Sequence, residues 1–185
     1  MKKTAVIFPG VGYTKDRPLL YYSGKLAASF GYELVHVDFS GIDWSKEKLK
    51  DPDFLKEALD ICLKRIDGVI PDPAELAVHD TVFISKSIGT VAACAYAHKH
   101  SLDVPQLCFS PLEMIEGFVK KNGAVLFYGD ADPFADPASI EKIAKDKSLM
   151  AVKIAGGNHS LETGDIFTDI DNMKLMMERV KRELS

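Results

Sequence analysis

The chain has 185 residues, 46% of them hydrophobic and 27% charged, enough to bury a full-sized core in one compact domain spanning 1–185. The formal net charge is only -4 and neither sign gathers in a long block, which excludes a nucleic-acid face or a polybasic membrane anchor and leaves a small molecule as the expected partner. Three cysteines, Cys62, Cys94 and Cys108, lack C-x-x-C spacing and sit in apolar segments, so they are expected to pack as small hydrophobes in a reducing cytoplasm rather than to pair or bind metal.

In chain order, "MKKTAVIFPG" places two lysines before an apolar run, as a secretion signal would, but Pro9 and Gly10 stop that run after five residues. It is too short for a signal core or a membrane span and reads as a first strand, "TAVIFP" from Thr4. A helical pattern at 18–30 leads to "ELVHVDF" from Glu33, and 39–51 reads as a surface loop holding the only tryptophan, Trp44. The next helix, 52–66, has Asp51 as cap and Pro52 in its first turn. "TVFIS" from Thr81 runs into a helix at 88–100, and "VPQLCFS" from Val104 into one at 112–121. "AVLFYG" from Ala124 precedes a helix at 137–146 capped by Asp136, and "LMAVKIAG" from Leu149 precedes the amphipathic 166–184, whose charges form its wet face.

Several of these strand runs are apolar without alternation, as strands buried on both faces are. Their alternation with helices predicts right-handed crossovers and a three-layer α/β/α fold around a doubly wound, mostly parallel six-stranded sheet. Ligands of such sheets gather at the carboxyl ends of the strands. The polar residues expected there are "PGVGYT" from Pro9, Asp38, Ser85 and Ser87, Ser110 and Glu113, Asp130 and Asp132, and Asn158 with His159.

Ser87 lies where strand becomes helix, in "SKSIG" from Ser85. A serine on so sharp a turn needs small residues two places away on either side, because strand and helix pass close there, and Ser85 and Gly89 meet that demand. The motif resembles the G-x-S-x-G nucleophile elbow of the α/β-hydrolase superfamily, with Ser85 in place of the first glycine, and the chain looks like the small, lidless, dienelactone-hydrolase or esterase-like members. The resemblance spans nearly the whole chain, lacks the family's two leading strands, and implies a minimal α/β-hydrolase fold with strand order 2-1-3-4-5-6.

It also implies a triad in the order nucleophile, acid, histidine: Ser87, an acid in "YGDADP" from Tyr128, and a histidine in "AGGNHS" from Ala155. His159 alone of the five histidines sits in a strand-exit loop; His79 precedes a strand, His98 and His100 end a helix, and His36 lies within a strand run. Asp132 fits the family's G-x-x-D spacing from Gly129, and Asp130, nearer the strand end, is the alternative acid. The oxyanion donors implied are the backbone N–H of Ile88 and one from Gly10, Val11 or Gly12, with Val11 the first choice. Gly12, Tyr13, Lys86 and Phe134 are substrate-binding candidates and Glu113 a further pocket wall; Lys86 is either solvated or packed by its stem, or instead binds a substrate carboxylate.

The function implied is cleavage of a small ester or thioester through an acyl-enzyme, with no cofactor or metal. Only "PLEMIEGFVKKN" lies between Ser110 and Gly123, where relatives insert a lid, so a shallow groove is expected. Each feature also has a plain alternative, Ser87 as a helix cap and Asp132 as a turn residue. Three rival functions remain: a flavodoxin-like flavin binder, a metal site from Asp130, Asp132, His159 and Asp38, and a hydrolase-like scaffold that only binds a partner.

Overall fold

Strands apolar on both sides need helices above and below, and the chain supplies them alternately. The computed structural model describes residues 2–44 and 51–185. Strand β1 (Lys3–Phe8) is followed by helix α1 (Pro18–Ser29), β2 (Glu33–His36), α2 (Pro52–Val69), α3 (Pro73–Val78), β3 (Asp80–Lys86) and α4 (Ile88–Lys99). Then come β4 (Gln106–Phe109), a 3-10 turn (Glu113–Gly117), β5 (Ala124–Gly129), α5 (Pro137–Asp146), β6 (Met150–Ile154) and α6 (Ile166–Leu184). The six strands form one sheet in the order β2-β1-β3-β4-β5-β6, every neighbouring pair parallel.

Successive strand residues face opposite layers. Val6, Phe8, Phe83, Cys108, Leu126 and Tyr128 pack beneath α2 to α5, and Ala5, Ile7, Ile84, Leu107, Phe127 and Ile154 pack beneath α1 and α6. On the second face Phe109 stacks on Phe127 at 4.6 Å between ring centres. Truncating either ring to alanine costs about 3–5 kcal/mol, from lost transfer and the cavity left behind. All three cysteines are buried and unpaired.

The Asp-Pro signal starts helices as the sequence implies: Asp51 accepts from the Asp53 N–H, and Asp136 from those of Ala138 and Ser139. The same signal at Asp72-Pro73 builds α3, which the sequence reading passed over, its cap accepting from the Ala74 N–H. Helix α2 runs past residue 66 to Val69. The helix expected at 112–121 is only the 3-10 turn: Leu112 offers no side-chain cap and Gly117 ends the turn. The surface loop expected over 39–51 is described only in part, since residues 45–50 lie outside the described residues; Phe39 is buried and Trp44 packs edge-on to Phe54. Among the described residues no helix is long and apolar enough to cross a membrane.

Parallel pairing brings the carboxyl ends of the strands to one edge. Phe8 stands opposite Ser85, Lys86 opposite Phe109, and Gly129 opposite Ile154, so the loops after β1, β3, β5 and β6 leave side by side.

Candidate active site

Strand β3 passes into α4 through a single residue. Ser87 has φ 56 and ψ -125, a left-handed conformation that an L-residue holds only when its surroundings impose it. It occupies the cap position of α4 without making a side-chain cap bond, so the plain reading of Ser87 as a helix cap does not hold. The tight passage explains Gly89: a Cβ there would collide with the Pro9 carbonyl and lie 2.7 Å from that of Phe8. Ser85, at the other small position, is buried and donates its hydroxyl to the Leu107 carbonyl at 3.2 Å, tying the elbow to β4.

Ser87 Oγ lies 2.7 Å from His159 Nε2, and His159 Nδ1 lies 2.7 Å from Asp132 Oδ2. A carboxylate oxygen accepts, so Nδ1 carries the proton and Nε2 is left to accept from the serine hydroxyl. The Asp132 side chain is 3% exposed, and its Oδ1 accepts from the Phe134 N–H at 2.8 Å, which fixes the carboxylate within its own turn. Asp130 points elsewhere, accepting from the Gly156 N–H and facing Lys153 Nζ at 3.6 Å. Of the two candidate acids, Asp132 is the one beside the imidazole.

His159 is held by its backbone as well as its ring. Ser110 Oγ donates to the His159 carbonyl at 2.9 Å, and Asn158 Oδ1 accepts from the Ser160 N–H at 2.7 Å, bending the loop after β6 back over the sheet edge. That loop passes so close to β5 that a Cβ on Gly129 would overlap the Gly157 carbonyl. Phe134 presents its ring edge-on to the imidazole, 4.9 Å between centres.

The loop after β1 closes on itself: the Gly10 N–H donates to the Tyr13 carbonyl and the Tyr13 N–H to that of Gly10. Gly10 is thereby removed from the three candidate donors, leaving Val11 and Gly12, and Gly12 takes φ 64. Val11, Ser87, Ile88 and His159 line one cleft of about 390 Å³, completed by Leu55, Leu112, Met114, Glu113 and Phe134. Leu55, Leu112 and Met114 were not singled out in the sequence, where nothing distinguishes them from core residues. Glu113 Oε1 also accepts from the Asp136 N–H, bracing the wall.

Behind the elbow Lys86 is 1% exposed, so of the solvated and the stem-packed alternatives the structure shows the packed one. Its Nζ sits 5.2 Å from the centre of the Tyr13 ring, and burial pushes the ammonium down to about 7, against the opposing pull of Asp132. Tyr13 accepts at its hydroxyl from the Leu19 N–H at 3.1 Å, and burial raises that phenol to about 12. A larger cavity of about 580 Å³ opens at the opposite, amino end of the strands, near Gln106, Ala124 and Arg179, away from these groups.

Of the residues of the metal alternative, Asp132 and His159 meet and the other two turn to other partners. Asp38 is taken up by the Ser40 N–H and hydroxyl, Asp130 by Gly156, and no cluster of three or more metal-binding side chains occurs among the described residues.

No protein-family model and no curated protein matches the chain. Solved structures do. Est1E from Butyrivibrio proteoclasticus, solved with ferulic acid bound, superposes with a TM-score of 0.72 at 16% identity over 98% of this chain and 88% of its own. A lidless α/β serine hydrolase from Xanthomonas campestris gives 0.68 at 14% identity over 97% and 81%. Dienelactone hydrolase from Anabaena variabilis gives 0.63 at 16% identity over 96% and 85%.

Proposed function

The chain has the α/β-hydrolase fold, and on that premise we propose that it is a serine hydrolase cleaving small esters or thioesters through an acyl-enzyme. The observation that carries this reading is the continuous relay from Ser87 through His159 to Asp132, with 2.7 Å at each step. Ser87 Oγ attacks the carbonyl carbon while His159 Nε2 takes the hydroxyl proton, and Asp132 stabilises the imidazolium that results. The N–H groups of Val11 and Ile88 receive the negative charge that develops on the carbonyl oxygen. His159 then passes its proton to the leaving alkoxide or thiolate, and a water activated by the same imidazole releases the acid and frees Ser87.

The site needs no cofactor or metal for this sequence of steps. The preference for small substrates is supported by the cleft of about 390 Å³, lined among the described residues by Leu55, Leu112, Met114 and Phe134, and by the ferulic acid held in Est1E. Labelling with a fluorophosphonate probe and mapping the modified peptide tests the reading. The label is expected on Ser87 and absent from Ser87→Ala; a label on another serine that persists in Ser87→Ala would overturn it.

A further inference from the structure

The mechanism above leaves Lys86 without a task, although burying an ammonium is unfavourable unless an anion meets it. Lys86 is 1% exposed, its stem packs under Gly10, and its ammonium faces the Tyr13 ring at 5.2 Å. Asp132 acts on it through space, but the two Asp132 oxygens are already engaged by His159 and the Phe134 N–H. Among the described residues Lys86 forms no ion pair with any carboxylate.

Lys86 lines a cavity of about 210 Å³ with Val11, Gly12, Tyr13, His159 and Ser160. This cavity shares Val11 and His159 with the apolar cleft, so the two hollows flank the reacting serine, one greasy and one polar. Its volume suits a few heavy atoms rather than a drug-sized group. Arg17 and Glu162 stand at its exposed mouth, where the carboxylate of Glu162 disfavours a dianion such as a phosphate monoester.

We propose that this cavity is a subsite for a single carboxylate of the substrate, paired with Lys86, so that the preferred esters or thioesters are monoanionic. The inference rests on the serine-hydrolase reading and narrows its substrate class. The carboxylate belongs either to the acyl group or to the leaving group.

Two pairs of esters separate those sources: p-nitrophenyl glutarate against its methyl ester, and 4-butyryloxybenzoate against its methyl ester. In one pair the wild type is expected to favour the carboxylate in kcat/KM by about tenfold or more, the scale of one charge-assisted hydrogen bond. That ratio should fall by about the same factor in Lys86→Met, which keeps the stem and removes the charge. Ratios equal in the wild type and Lys86→Met for both pairs would overturn the subsite.

A readout without turnover keeps the two readings apart. In Ser87→Ala, millimolar monomethyl glutarate, a monoanion, should raise the melting temperature, dimethyl glutarate should not, and the rise should vanish in Ser87→Ala/Lys86→Met. If that response appears while no ester is cleaved, the hydrolase reading fails and the subsite stands. Cleavage and Ser87 labelling with no selective response to monomethyl glutarate would overturn the subsite alone. Should Lys86→Met fail to fold, the contrast between monomethyl glutarate and dimethyl glutarate in Ser87→Ala decides the matter unaided.

Discussion

Asp132 Oδ2 stands 2.7 Å from His159 Nδ1, whereas Asp130, two residues earlier, accepts from the Gly156 N–H. If Asp132 fixes the tautomer of the imidazole, Asp132→Asn should lower kcat on the order of 10⁴-fold, and His159→Ala should abolish turnover without unfolding the chain. Asp130→Asn should leave kcat within about threefold, because the loss is one turn hydrogen bond of roughly 1 kcal/mol. Steady-state kinetics with melting curves check this pair; a large kcat loss confined to Asp130→Asn would reverse the assignment.

Gly129 lets the loop bearing His159 cross β5, since a Cβ would overlap the Gly157 carbonyl. Gly129→Ala must push that loop outward. A displacement of about 1 Å at a catalytic base costs on the order of 10²-fold in rate, so kcat should drop by about that much in whatever fraction remains folded. Gly89→Ala meets the Pro9 carbonyl at the elbow and should be destabilising by about 1–3 kcal/mol or more, read as a fall in denaturation midpoint.

The open cleft beside Ser87 predicts a chain-length profile. Each methylene buried contributes about 0.8 kcal/mol, but a cleft of about 390 Å³ runs out of wall after a short acyl group. Across neutral p-nitrophenyl esters from acetate to palmitate, kcat/KM should peak at the short end. A steady climb to the sixteen-carbon ester would reveal a long acyl tunnel instead.

Lys86 also sets a pH dependence of stability. Its folded value of about 7 lies below the 10.5 of an ordinary lysine, so between the two the unfolded chain holds a proton that the folded chain has released. Stability therefore rises with pH across that window, by up to about 1.4 kcal/mol per pH unit, and below it the full cost of the buried ammonium is felt. The groups facing Lys86 are Asp132, His159, Tyr13, Arg17 and Glu162. Melting curves between about pH 6.5 and 9 should climb in the wild type and flatten in Lys86→Met. Parallel climbs in both would assign the effect to another group.

The elbow was legible because its demands are local: small residues two places either side of Ser87 announce a close passage whatever the distant chain does. The alternation of strands and helices implied a mostly parallel sheet, and the strand order came from the family resemblance. The helix expected at 112–121 failed because the apolar spacing of Leu112, Ile115 and Val119 is blind to the backbone between them: the 3-10 turn covers only Glu113–Gly117, and Leu112 before it makes no side-chain cap bond. Helix α3 was missed although Asp72-Pro73 carries the same signal read correctly at Asp51-Pro52; its six residues are too few to show a period. The burial of Lys86 was not legible, because it depends on Tyr13 folding over the ammonium from the loop after β1.

The relay draws on segments far apart along the chain. β1 pairs with β3, yet the loop that carries His159 arrives only after β6 has joined β5 at the far edge of the sheet. Until that late strand docks, a chain can already hold Ser87 at a formed elbow and still have no base beside it. Pairing β1 with β3 joins Lys3 to Asp80, 77 residues on, a closure as long as the 72 residues between Ser87 and His159, so in refolding turnover should recover together with the buried aromatic signal from the β1–β3–β4 centre rather than ahead of it. A partly assembled molecule would be chemically silent.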